Sequence, residues 1–208
     1  MGLPLYTSDD SKRELEIRNA AIQFLAVQYH IGEWKPDTRL TSPLILELQR
    51  LVINQIYTCA GSFRDGPVWL SDGKHIPPDH GEVPGLVAEM CGYINDNWDR
   101  TAIHLASYLM WRVNWIHPFF GGNGRTARGV AYLILCAKLG FLLPGTTTIP
   151  DRIVSDRKPY YAALHDADSA WARGELNVRQ MEDMMSSLLA KQLYEVHEKA
   201  TGISLADK

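Results

Sequence analysis

The chain has 208 residues, of which 46% are hydrophobic and 22% charged, with a formal net charge of −3. That length suits one domain around one sizeable core. A near-neutral balance with no basic block excludes a dedicated nucleic-acid surface, though not a local basic pocket. The three cysteines, Cys59, Cys91 and Cys136, are widely spaced. They fit free thiols in a reducing cytosol better than a disulfide framework or a zinc site. Met1 to Asp10 holds no apolar signal core, and Tyr6 stands where N-terminal acylation wants Ser or Thr. No apolar run is long enough to span a bilayer. The expectation is a cytoplasmic protein with neither nucleic acid nor membrane as partner.

Taken in order, the chain reads as helices. Ser11-Lys12-Arg13-Glu14 has the form of a capping box. A helix over 11–30 follows, with Ile17, Ala20, Ala21, Phe24, Leu25 and Gln28 on a mostly apolar face. Gly32 and Pro36 end it. Ser42-Pro43 reads as an N-cap and first helical residue. Leu44, Leu48, Leu51, Val52 and Ile56 then line a second helix over 43–59. Gly61 to Leu70 follows, and its Asp65-Gly66 pair is a two-residue hairpin turn signal. Pro67 restricts any strand there to a short edge strand, and from the residues alone a surface loop is the plainer reading. Lys74 to Val83 is a Pro-containing loop. Its His75, Asp79 and His80 match no zinc or helical spacing.

Pro84 opens a helix to about Asn97. Thr101 to Ile116 is apolar enough for a central helix, on which His104 is a packed or surface histidine. Arg125 to Leu139 follows, and Gly140 stops it. Asp156 to Leu164 carries the pair Tyr160-Tyr161. Asn177 to Gln180 resembles a helix start. Met181, Met184, Met185, Leu188 and Leu189 then recur at helical spacing over 178–197, a stripe that suits a core or a homo-oligomer interface. Ala200 to Lys208 reads as a frayed end. No repeat or linker divides the chain. It reads as one all-α domain over 1–208 with a single small β-hairpin.

The chemistry concentrates in His117-Pro118-Phe119-Phe120-Gly121-Gly122-Asn123-Gly124-Arg125-Thr126-Ala127-Arg128. Histidine titrates near neutrality and is a ready general base. Gly121, Gly122 and Gly124 allow close backbone approach to a ligand. Arg125 and Arg128 are three apart, so on a helix they share a face and can fork onto phosphate oxygens. Apolar stretches on both sides make the glycines a loop that opens a buried helix, and a helix N-terminus is an anion site. These residues point to a nucleotide phosphate facing His117.

This stretch resembles the Fic domain motif H-P-F-x-[D/E]-G-N-G-R-x-x-R at every fixed position but one, because Gly121 stands where the family has Asp or Glu. The resemblance runs from Gly61 to Asp168 and implies a Fic-type helical bundle with a β-hairpin flap beside the active site. It implies transfer of AMP from ATP to a Ser, Thr or Tyr hydroxyl of a target protein. His117 would take the hydroxyl proton. Pro118 and Phe119 would be structural. Gly122, Asn123 and Gly124 would form the anion loop, with Arg125 and Arg128 on the β- and γ-phosphates. Phe63, Arg64, Asp65, Gly66 and Val68 would belong to the target-binding flap. Tyr160 and Tyr161 would lie near the base or pack in the core. With Gly121 in the acid's place, Mg²⁺ or Mn²⁺ would be held mainly by phosphates and water. The alternatives are a phosphotransferase using another donor and a catalytically silent nucleotide- or protein-binding regulator. The family's inhibitory helix, [S/T]-x-x-x-E-[G/N], has no clean match. Ser11 is followed by Leu15 at the required offset, and Ser42 reaches Glu47 one residue late. An inhibitory antitoxin chain is therefore among the expected partners.

Overall fold

The computed structural model describes residues 2–70 and 75–203. Among them are eight helices: α1 (Asp9–Glu33), α2 (Ser42–Ile53), α3 (Val83–Asp96), α4 (Ala102–Ile116), α5 (Asn123–Leu139), α6 (Ile149–Ser155), α7 (Lys158–Ala172) and α8 (Arg179–Thr201). The centre is the pair α4 and α5. Leu105, Leu109, Val113 and Ile116 of α4 and Ala127, Val130, Leu133 and Ile134 of α5 are wholly buried. Both helices are apolar around most of their circumference, which requires cover on every side. α1 and α2 pack beside α5, α3 beside α4, and α8 crosses α4 with α7 next to it. The methionine stripe faces inward, with Met181 and Met185 buried in the core.

Helix ends depart from the sequence reading for local reasons. The cap of α1 is Ser8, not Ser11. The Ser8 hydroxyl accepts from the Ser11 N–H, and the Ser11 hydroxyl accepts from the Ser8 N–H. Ser11 thus completes the capping box from its third position. Thr41, not Ser42, caps α2. That helix stops at Ile53, short of the expected Cys59, because Gln55 adopts a positive φ of 60° that no helix continues through. α6 was not expected from the sequence. Its signal was present in Thr148-Ile149-Pro150-Asp151, where Thr148 and Asp151 form a capping box with Pro in the first turn.

Side-chain ties join the layers. Asn95 brackets Leu40, accepting its N–H at 2.8 Å and donating to its carbonyl at 2.9 Å. His104 sits between the Tyr93 hydroxyl at 2.8 Å and Glu182 at 2.6 Å, so it packs as a pin joining α3, α4 and α8. The expected hairpin is not found among the described residues. Residues 61–70 run as bends and irregular backbone, and the bridge Pro4–Tyr57 lies elsewhere. Arg64 turns inward and draws the Gly66 carbonyl to its guanidinium at 3.2 Å, while Pro67 has no N–H for a ladder. Lys74 and the end of the expected frayed segment, 204–208, lie outside the described residues. No helix among the described residues is long and apolar enough to cross a membrane.

Candidate active site

His117 terminates α4. It is the C-cap, left-handed at φ 48° and ψ 58°, and its N–H donates to the Val113 carbonyl at 3.0 Å. A non-glycine residue in this region is uncommon and must be held there. Arg64 does the holding. It is 3% exposed. Its Nε donates to the His117 carbonyl at 2.8 Å and its Nη2 to those of Pro78 at 2.6 Å and Ile116 at 3.3 Å. The Arg64 N–H meets the Pro118 carbonyl at 2.9 Å. Arg64 is therefore committed to the loop beneath the histidine and is not presented to a target. Of its neighbours, Phe63 stacks on Phe119 at 5.9 Å, Gly66 offers its carbonyl to Arg64, Val68 is half-buried and Asp65 is exposed.

The His117 Nδ1 lies 3.4 Å from the Asn114 carbonyl. With its proton toward that oxygen, Nε2 is the basic nitrogen. Burial pushes the ring down from 6.5 to about 4, aided by the nearby Arg64 and opposed by the Asn114 carbonyl. His117 is thus neutral at neutral pH, as a proton acceptor must be.

The loop after His117 is fixed by buried groups. Asn123 accepts the Phe119 N–H at 3.0 Å and donates to the Phe119 carbonyl at 2.7 Å, and Phe119 itself is wholly buried. Pro118 is buried beside it. Gln49, also buried and missed by the sequence reading, donates to the Gly121 carbonyl at 3.2 Å and accepts from the Gly61 N–H at 2.7 Å. Gly122 caps α5 at φ 80°, and a Cβ there would meet Ile53 and Val52 at 2.9 Å. No side chain caps α5, and its first turn contains no acidic residue. The N–H groups of Asn123, Gly124 and Arg125 therefore open toward the groove above them as anion donors.

That groove, about 700 Å³, is lined by His117, the loop from Phe120 to Gly124, Arg125 and Arg128, with Arg13 and Arg157 at its sides. Arg125 pairs with Glu16 of α1 at 3.2 Å. Arg128 has no carboxylate partner among the described residues, although burial lowers its pKa by desolvation. A largely buried guanidinium without a counter-charge is costly unless an anion supplies one. Glu16 and Arg157 were not foreseen, because neither lies in the motif. The groove's carboxylates are both engaged, Glu16 with Arg125 and Asp151 in the cap of α6. No cluster of metal-ligating side chains occurs among the described residues. Gly121 itself has no side chain to offer a divalent ion.

His117, Gly124 and Arg128 also line a second cavity, about 450 Å³, with Asn114, Trp115, Tyr160, Tyr161, Leu164 and Asp168 among its walls. Of the tyrosine pair, Tyr160 packs in the core as one reading had it, and Tyr161 does not. Tyr160 is 2% exposed and accepts from Asn114 at 2.7 Å, Tyr161 is 47% exposed, and both face this cavity. The structure thus joins a histidine, an anion-binding helix start, two arginines and an aromatic pocket.

Residues 39–135 match the Fic/DOC family. Those residues carry the family's likeness, and the chain has the Fic helical fold. Its fold is that of a Fic domain-containing signaling protein from Bacteroides thetaiotaomicron, at a TM-score of 0.76 and 25% identity over 96% of this chain and 77% of that one. A Fic family protein from Desulfovibrio desulfuricans G20 aligns at a TM-score of 0.69 and 22% identity, over 96% of this chain and 57% of that one. The chain is 31% identical over 107 residues to the protein adenylyltransferase Fic of Drosophila persimilis, covering 50% of this chain and 21% of the relative. The matching protein of Drosophila melanogaster is 32% identical over the same coverage. The chain therefore spans about a fifth of the length of these curated relatives.

Three outcomes follow from this geometry. Gly122→Ala adds both a left-handed alanine and an overlap with Ile53 and Val52, and should cost about 2–4 kcal/mol in urea unfolding. Gly121→Ala meets only Tyr57 at an ordinary 3.5 Å and should stay within about 0.5 kcal/mol of wild type. His117 is protonated near pH 6.5 in the unfolded chain but near 4 in the fold. Between those values the unfolded state binds the extra proton, so stability falls as pH drops from 6.5 to 4, on the order of 2 kcal/mol. Denaturation at pH 7 and pH 4.5 should show that fall in wild type and a smaller one in His117→Asn.

Proposed function

We propose that this Fic domain transfers the AMP part of ATP to a Ser, Thr or Tyr hydroxyl of a target protein. The observation that carries the reading is Arg128, largely buried, without a carboxylate partner among the described residues, and shared by the groove and the aromatic pocket that meet at His117. A nucleotide suits this arrangement at both ends, with phosphates on the arginines and the α5 N–H groups and the base among the aromatic side chains. The relatives named protein adenylyltransferase Fic support the same reaction class.

The chemistry then runs on this chain's own residues. Neutral Nε2 of His117 takes the proton as the target oxygen attacks the α-phosphorus. The bond to the departing pyrophosphate breaks, and Arg125, Arg128 and the helix N–H groups stabilise its charge. The target hydroxyl approaches past Val68 and Trp69, the latter 84% exposed. A divalent ion such as Mg²⁺ or Mn²⁺ would be held by the nucleotide's phosphates and water, with no carboxylate at position 121, and would supply charge neutralisation to the phosphates. Glu16 is a restraint in cis. It occupies Arg125, the first arginine, whereas the family's inhibitory glutamate is expected on the second, so a separate antitoxin chain would still find Arg128 open.

Labelling a cell lysate with ATP marked on the α- or the γ-phosphate tests this. α-Label on a protein should appear with wild type, fall at least about 100-fold in His117→Ala, and rise in Gly121→Glu. Label from the γ-phosphate alone would replace the reading with a phosphotransferase, and nucleotide binding without any label would replace it with a silent regulator. Glu16→Gln frees Arg125 from a half-exposed pair worth at most about 1 kcal/mol, so ATP affinity by calorimetry should rise by up to about fivefold.

A further inference from the structure

We propose that Arg13 and Arg157 stand in for a divalent ion as counter-charge to the phosphates, so that this groove takes the nucleotide in its metal-free form. This rests on the nucleotide reading above. The missing acid of the motif sets the problem. Gly121 has no side chain, and the two carboxylates that line the groove are already engaged. Glu16 pairs with Arg125 at 3.2 Å, and Asp151 accepts from the Thr148 N–H and hydroxyl at 2.9 and 2.6 Å. A hard cation seeks several oxygen ligands, and the groove holds no uncommitted carboxylate to begin the set.

What the groove supplies instead is guanidinium, from Arg13, Arg125, Arg128 and Arg157. Arg13 lies three residues before Glu16 on α1, so it shares the face that meets Arg125. Arg157 comes from another wall, as the N-cap of α7. Neither has a carboxylate partner among the described residues. Burial lowers the Arg128 pKa most, and the positive charges of Arg157 and Arg125 lower it further. These cations are thus near enough to repel one another, and a polyanion between them removes that cost. An acid with its divalent ion would add one net positive charge beside the phosphates, whereas two arginines add two. Mg²⁺ carried on the nucleotide neutralises the charge these arginines would meet, and its retained waters hold them off. The groove therefore favours the bare phosphate chain. An ion carried in on the phosphates is tolerated but not required for binding.

Isothermal titration of the full chain with ATP, once in excess Mg²⁺ and once in EDTA, tests this without relying on transfer. Wild type should bind ATP at least as tightly in EDTA as in Mg²⁺. Exposed charge contacts are each worth up to about fivefold, so the double variant Arg13→Gln/Arg157→Gln should lose about tenfold in EDTA. In Mg²⁺ its loss should be about threefold or less, because the ligand carries less charge for these arginines to meet. Gly121→Glu should bind more tightly in Mg²⁺ than in EDTA, since its carboxylate repels bare phosphates and gives the ion a ligand. Wild-type binding that is weaker in EDTA than in Mg²⁺ overturns the proposal. So does a double variant that loses equally in both buffers, or a Gly121→Glu that keeps the wild-type order. Binding of ATP by wild type in neither buffer overturns the nucleotide reading itself, and this assignment with it.

Discussion

The site depends on one buried guanidinium. Arg64 spends four hydrogen bonds on the carbonyls of His117, Gly66, Pro78 and Ile116. A buried cation is costly alone, but the C-terminal carbonyls of a helix carry partial negative charge and have no partners of their own. Here each side resolves the other's deficit. The result is that α4 ends in a left-handed histidine whose backbone is gripped from below while its ring stays free above. The same arginine brings Phe63 onto Phe119, so the segment before the motif and the motif itself become one packed unit. A residue more than fifty positions before the motif thus sets the geometry of the candidate base, His117.

Charge is distributed unevenly between the two motif arginines. Arg125 has Glu16 across from it and stays partly solvated, while Arg128 sits deeper, near the hydroxyls of Tyr160 and Tyr161 and with no carboxylate partner among the described residues. Desolvation strengthens whatever anion reaches Arg128 and weakens nothing that water could replace. The first arginine can therefore be regulated by a surface contact at small cost, and the second supplies the fixed attraction. His117 follows the same logic. Burial depresses its pKa and keeps it unprotonated, and the nearby Arg64 guanidinium further disfavours a positive charge on the ring.

How much of this was legible in the sequence depends on the range of the interaction. The twelve-residue motif showed His117, Asn123, Arg125 and Arg128 at once, since their roles are local to one loop and one helix turn. The central helices were equally plain from apolar runs. Gln49 and Glu16 were not legible, because each acts on a residue far away in the chain and nothing in its own neighbourhood marks it. Arg64 was visible but misread. Beside Asp65-Gly66 it looked like part of an exposed turn, and only the tertiary fold shows it facing inward. α6 was overlooked although its capping box was there to read, since seven residues give too short an apolar period to notice.

Gly121 is the remaining departure from the family's motif, and its geometry argues about its meaning. Unlike Gly122, it has no positive φ, and a Cβ would find only ordinary contact with Tyr57. The backbone therefore does not require glycine, and the fold leaves room for the acid that relatives of the motif carry. What is absent is a ligand for a metal, not the shape of the loop. The groups proposed to position phosphate and proton acceptor are other residues: the Asn123 clamp, the start of α5, the two arginines and the Arg64 grip on His117. A site assembled in this way concedes the divalent ion's carboxylate while retaining its electrostatic preorganisation, and preorganisation is the larger share of catalysis in phosphoryl chemistry.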